Sequence, residues 1–310
     1  MNSLLIDPAW AIACAFLFSL CVGSFLNVVI HRLPIMMTRE WEKEIFCYLK
    51  VQEAKQQQEE QEEQEEQEEQ EEQEEQEEVY NLSVPASACP KCEHRIRWYE
   101  NIPVISWIFL GAKCSSCGLP IPFRYPFVEL FTATCSAYAI YVFGPNLIGL
   151  SVVFLTWVLI CLTFIDYDRQ LLPDSLTLPL LWLGLLVNSF GFFTSLEHAV
   201  YGAVAGYLSL WIIYWAFKLL TGKEGMGYGD FKLLAALGAW VGFFQLPFVI
   251  LLSALSGAII GITLMLLKKH SSQTPMPFGP YLAIAGWIVL IWGDLLTPMY
   301  IHFITVIGVI

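Results

Sequence analysis

The sequence predicts an all-α protein that crosses a membrane about eight times and carries a cytoplasmic zinc-binding loop. Three observations predict it. Hydrophobic residues make up 56% of the 310 and charged residues 15%, with a mean hydropathy of +0.56. That balance excludes both a compact soluble enzyme and a disordered chain. Charge-poor stretches close to the ~20 residues needed to cross the hydrocarbon core recur along the chain. Threaded in alternation, those stretches leave every Lys and Arg on one side. The formal net charge of −13 is local: residues 59–78, a run of Glu-Glu-Gln units, hold 14 of the 29 acids and leave 15 against 16 bases. The acidic balance therefore says nothing about partners beyond the bilayer itself, and nothing in it points to nucleic acid.

Ala9–Ile30 is free of charge and forms the first span. Asp7 precedes it and its basic flank follows it, so it reads as a retained anchor and not a cleaved signal peptide. Pro126–Phe143 carries only Glu129, and Leu147–Ile165, Ser175–Thr194 and Ala199–Phe217 follow. Leu233–Leu267 is 35 residues without a charge, too long for one span, and Gln245-Leu246-Pro247 offers the break. The eighth span begins at Tyr281 and is expected to end near Leu296, before Thr297-Pro298. Backbone groups in lipid must be paired within the segment, and no stretch shows the alternation of a membrane barrel, so the spans are helices.

With the N-terminus outside, ten bases lie between spans one and two, one between three and four, three between five and six, and two between seven and eight. That side is the cytoplasm by the positive-inside rule, which puts the N-terminus on the opposite face of the membrane. Three parts follow: 1–31, the first helix; 32–125, a cytoplasmic loop; and 126–310, the remaining membrane part. The Glu-Glu-Gln tract within the loop has like charges at i,i+3 and i,i+4 and reads as a solvated insert without chemistry.

Beyond the tract, at about 85–125, stand Cys89-Pro-Lys-Cys92 and Cys114-Ser-Ser-Cys117, two C-x2-C pairs 21 residues apart. Four thiolates at that spacing fit a closed, structural zinc site, and a reducing cytoplasm disfavours two disulfides. Cys14, Cys21, Cys135 and Cys161 lie inside spans and read as small apolar fillers.

Ionisable groups at the ends of spans are costly and mark function by default. The third span ends in Phe164-Ile165-Asp166-Tyr167-Asp168, with Leu172-Pro173-Asp174 beyond. Gly225-Met226-Gly227-Tyr228-Gly229-Asp230 leads into the sixth, and the glycines Gly227 and Gly229 allow a sharp turn and close approach of another segment. Two carboxyls from different helices can share a proton, one acting as base and one as acid, which suits water attack on a peptide bond. Plainer roles compete: Asp230 capping a helix, Asp174 capping the fourth span, Glu129 compensating a dipole in the first turn of the second. A transporter with an ion path is a further alternative, although acids gathered at one face differ from sites near the midplane.

Jointly these motifs resemble the bacterial type IV prepilin peptidases, bifunctional leader peptidases and N-methyltransferases of pilus and type II secretion systems. Gly23-Ser24-Phe25-Leu26-Asn27-Val28-Val29-Ile30-His31-Arg32-Leu33-Pro34 resembles the family's first-span signature. The two C-x2-C pairs resemble its zinc loop. Pro103–Trp107 and Phe123-Arg124-Tyr125-Pro126 with Glu129 resemble the lead into span two, and 164–174 with 225–232 resemble the two aspartyl motifs. The resemblance implies the G-x-G-D membrane aspartyl protease fold in 126–310. It implies Asp166 and Asp230 as the catalytic pair, with Asp168, Asp174, Gly227, Gly229 and Glu129 in support. It also implies prepilin and pseudopilin substrates cut on the cytoplasmic side, S-adenosylmethionine as methyl donor and zinc on the four cysteines. A leader peptidase without methyl transfer stays open. Two features depart from the family: the Glu-Glu-Gln insert, and Ala112 where a Gly is expected before Lys113-Cys114.

Overall fold

The computed structural model describes residues 8–60, 80–223, 225–267 and 276–307; the Glu-Glu-Gln tract falls almost wholly outside them. Among these residues the structure is helical, with only two isolated β-bridges. The helices are α1 (Pro8–Glu60), α2 (Ile105–Phe109), α3 (Arg124–Phe143), α4 (Leu147–Arg169), α5 (Asp174–Ser189), α6 (Leu196–Thr221), α7 (Tyr228–Val241), α8 (Leu246–Leu266) and α9 (Gly279–Ile307). All eight expected apolar helices are present. Among the described residues, five of them, α1, α3, α4, α6 and α8, are long and apolar enough to cross a membrane alone.

Two expected ends are not ends. The first helix runs on past His31 to Glu60, 53 residues in all, or about 80 Å. Pro34 lacks one backbone donor, and the Thr38 hydroxyl donates to the Pro34 carbonyl at 2.9 Å. Beyond it the sequence to Glu60 holds no glycine or proline and is rich in Glu, Gln, Lys and Met, so nothing stops the helix. Likewise α9 continues through Pro298 to Ile307. A proline deep in a membrane helix costs one backbone bond, and that does not force termination.

The centre of the bundle is α7. Its 14 residues cover about 21 Å, less than a bilayer core. It is buried along nearly its whole length from Asp230 to Val241, wrapped by α5, α6 and α9. The crossing with α6 is possible because both helices present glycine: a Cβ on Gly238 would run into the Gly202 backbone, and one on Gly206 into Leu234 and Ala235. Small residues let backbones approach where lipid offers no hydrophobic drive between helices. Across α5, Trp240 donates from Nε1 to the Leu180 carbonyl at 2.9 Å. Asn188 Nδ2 meets the carbonyls of Ala239 and Trp240 at 2.7 and 3.1 Å. These bonds fix the height of α7, and so of the carboxyl at its N-terminus. A second apolar cluster, with Leu26, Val29, Val128, Ile160 and Ile165, joins α1, α3 and α4.

Candidate active site

Asp166 lies in the last turn of α4 and Asp230 in the first turn of α7. The start of α7 follows from Gly227, its N-cap, and from Gly229, where a Cβ would press on Leu172 at 2.7 Å. Only a glycine lets the 225–230 segment lie against the 170–173 turn. The two carboxyls lie 64 positions apart in sequence, on different helices, and are close enough to interact electrostatically. Both are taken out of water, at 5% and 8% exposure. Asp166 Oδ2 accepts the Gly279 N–H at 2.9 Å. Asp230 Oδ1 is buried without a hydrogen-bond partner, and a buried orphan oxygen is costly unless the chemistry uses it.

The neighbouring acids do something else. Asp168 takes a two-pronged bond from Arg124, at 2.7 and 2.6 Å, tying the end of α4 to the start of α3. Asp174 is not a cap: Pro173 holds the N-cap position, and both Asp174 oxygens take Lys232 Nζ at 2.7 Å, tying α5 to α7. Each ion pair sits two residues from a pair member, at Asp168 and at Lys232. Residues i and i+2 do not share a helix face, so the tethers point away from the pair. They hold helix ends in place. Glu129 is not in a first turn either, because α3 begins at Arg124. It is buried where α3 crosses α1 beside Gly23, and it accepts the Val104 N–H at 2.7 Å, with Ser24 as a further donor.

Gly279 was not foreseen. Pro277-Phe278-Gly279-Pro280 opens the eighth span, and a glycine between prolines where a helix starts was the available signal. Its partner lies 113 positions away, which no local pattern encodes.

The four cysteines do converge: their sulfurs lie within 4.8 Å of one another. Cys89 and Cys117 are 3.7 Å apart, Cys92 and Cys114 3.9 Å. A tetrahedral zinc with Zn–S near 2.3 Å sets sulfurs about 3.8 Å apart, so the cluster fits a structural zinc. Each pair sits in the same backbone knuckle. Glu93 N–H returns to the Cys89 carbonyl and Gly118 N–H to the Cys114 carbonyl, with Glu93 and Gly118 both left-handed at φ 55 and 70°. The N–H groups of Lys91 and Cys92 turn onto the Cys89 sulfur and pull its pKa down to about 6, while burial and the hydrogen bonds it shares with the other three sulfurs push Cys117 up to about 11. Beside the cluster, the Arg97 N–H, the Ser115 hydroxyl and His94 hold Glu100 ionised, with its pKa down at about 2.

Sequence comparison fits both halves. Residues 17–143 match the bacterial peptidase A24 N-terminal domain, and residues 153–262 match the type IV leader peptidase family. The chain is 56% identical over 286 residues, 92% of each chain, to a protein of Aeromonas hydrophila named prepilin leader peptidase/N-methyltransferase.

The chain belongs to the type IV leader peptidase family.

Relatives with that same name in Pseudomonas aeruginosa and Dichelobacter nodosus are 52% and 51% identical, covering 96% and 93% of this chain. They span 95% and 93% of their own lengths. No solved structure matches this chain. In this leader peptidase the family's N-terminal segment contains the cysteine cluster and Glu129, and its C-terminal segment contains Asp166 and Asp230.

Proposed function

We propose that this protein cleaves the leader from prepilins and pseudopilins and methylates the new N-terminal residue, with Asp166 and Asp230 as the hydrolytic pair. The observation that carries the reading is the pair itself. Two carboxyls from α4 and α7 are buried together, one held by a backbone N–H and one carrying an oxygen with no partner.

With one proton between them, the ionised carboxyl takes a proton from water and the hydroxide oxygen bonds to the scissile carbonyl carbon. The other carboxyl gives its proton to the carbonyl oxygen, forming a gem-diol. In collapse the first carboxyl passes its proton to the amide nitrogen and the C–N bond breaks. The second recovers its proton from a diol hydroxyl, and both residues return to their starting state.

Arg124, Arg169 and Lys232 lie at the same helix ends as the pair. The one-sided bases therefore support a cytoplasmic site in the inner membrane and a periplasmic N-terminus. The cysteine module supports the methyl-transfer half. Zinc on Cys89, Cys92, Cys114 and Cys117 would supply a fixed fold there, and S-adenosylmethionine would be the donor.

Purified protein incubated with a prepilin and S-adenosylmethionine tests the reading. Asp166→Asn and Asp230→Asn should each insert normally and cut nothing, a loss of at least about 1000-fold by analogy with catalytic dyads elsewhere. Cleavage at the normal rate by either variant would sink the pair. Mass spectrometry of the mature pilin should show one added methyl group; an unmethylated product would leave a leader peptidase with a purely structural zinc module.

A further inference from the structure

The two carboxyls are not equivalent, and the difference lies in α9. Its first residue, Gly279, points its N–H at Asp166 Oδ2 at 2.9 Å. A helix N-terminus carries partial positive charge and unsatisfied donors, so the contact favours the charged form of Asp166. Asp230 also lies at a helix start, in the first turn of α7 with the Gly227 N–H as its backbone donor, but its Oδ1 is buried and unpartnered and is where a proton would sit at least cost. Space is equally specific. A Cβ on residue 279 would lie 2.8 Å from Asp166 Oδ2 and 3.2 Å from Leu172 Cδ2.

We propose that Gly279 is a positioning residue that makes Asp166 the water-activating carboxylate and leaves Asp230 holding the proton given to the substrate carbonyl. This rests on the reading of Asp166 and Asp230 as the hydrolytic pair. It gives the chain's Pro-Phe-Gly-Pro turn a role: the prolines fix where α9 starts, and the glycine brings a backbone donor against the carboxyl.

The experiment uses the full chain in nanodiscs with a prepilin substrate. Gly279→Ala inserts a methyl between donor and acceptor. It should lower kcat/KM about tenfold and move the acid limb of its pH profile up by about one unit, because the charged carboxylate loses its donor. Among the described residues, the other ionisable groups at this end include Arg124, Asp168, Arg169, Asp174, Lys232, Tyr167, Tyr228 and Tyr281. None of them takes the Gly279 hydrogen bond, so the limb reports Asp166.

Methylation of an already mature pilin by the same preparation should be unchanged, which shows that the variant is folded. Adding Leu172→Ala relieves the other crowded contact and should restore neither rate nor limb. An unmoved limb, or restoration by Leu172→Ala, would overturn the proposal and leave simple crowding.

Infrared spectroscopy decides the point even if Gly279→Ala does not fold. The protonated-carboxyl band of the unsubstituted protein at neutral pH should vanish in Asp230→Asn and persist in Asp166→Asn; the reverse pattern overturns the assignment. Failure of the underlying pair looks different, since Asp166→Asn or Asp230→Asn would then cleave normally.

Discussion

At the carboxyl pair, position is set by packing: α7 is buried along nearly its whole length, and its tilt and height are locked by glycine crossings and by Trp240 and Asn188. At the cysteine cluster, position is set by backbone turns, and packing is almost absent. Of residues 80–123, Cys89 alone is buried. The segment exposes Trp98, Ile108 and Phe109 at 82, 63 and 85%. A segment of this size without a core cannot offset its conformational entropy by hydrophobic burial. A metal is the largest remaining stabilising term, added to the hydrogen bonds from Arg32 and Glu129, whereas the bundle needs none. The contrast teaches that the two halves of this leader peptidase should fail separately.

The sharpest way to break the comparison is to remove a ligand. Structural zinc contributes on the order of 10 kcal/mol in small metal-folded domains, and little else orders residues 80–123. Cys92→Ser, or chelation, should therefore lose zinc by elemental analysis, expose the segment to protease and abolish methyl transfer. Leader cleavage by the bundle should stay near the unsubstituted rate. Equal loss of both activities would mean the module also props up the carboxyl pair.

The opposite substitution attacks the bundle. Gly238→Val pushes a branched side chain into the Gly202 backbone where α6 and α7 cross. Overpacking of this kind costs about 3 kcal/mol, and here it displaces the helix that carries Asp230. Cleavage should be lost and the thermal transition lowered, while purified protein retains its zinc. Zinc lost along with cleavage would show the module to be dependent on the bundle.

What the sequence revealed divides along the same line. The helices that place Asp166 and Asp230 were legible because membrane spans are written as long apolar runs and their intramembrane acids stand out by rarity. The cysteine site was legible because metal spacing is local. Features that pair distant positions were not legible. Asp168 with Arg124 and Asp174 with Lys232 are ion pairs across 44 and 58 positions, and Gly279 reaches Asp166 across 113. The continuation of α1 to Glu60 was missed for a different reason. Hydropathy marks where a helix leaves lipid, and here the helix leaves lipid without ending.

Arg32 joins the two halves, as Glu129 does through the Val104 N–H. Arg32 on α1 is buried at 8% exposure and donates to the carbonyls of Asn81, Leu82 and Pro85 at 2.9, 3.4 and 2.6 Å. Arg39 stacks over the Tyr80 ring at 4.2 Å just beyond. Arg32→Met keeps most of the stem's packing but strips these charge-assisted bonds, a loss of about 2 kcal/mol after allowing for non-additivity. Hydrogen exchange of residues 80–88 should speed accordingly while α4 and α7 stay protected. Unchanged exchange would show that the cysteine knuckles alone hold the segment.

The smallest expected effect has the opposite sign. Ala112 adopts φ 59°, with its N–H bonded to the Trp107 carbonyl at 2.8 Å and its own carbonyl taken by the Ile121 N–H at 2.7 Å. The turn is therefore fixed from both sides, and an alanine Cβ pays for the left-handed backbone with about 1 kcal/mol. Glycine, the residue expected at this position from the resemblance, removes that cost, although it also frees the unfolded chain and gives part of the gain back. Ala112→Gly should thus stabilise the module by roughly 0.5 kcal/mol, seen as slower zinc release to a chelator with the bundle's thermal transition unmoved. Faster release would mean that the turn is held by its two hydrogen bonds strongly enough for unfolded-state entropy to dominate, and that the alanine is the better residue for a module with so little else to order it.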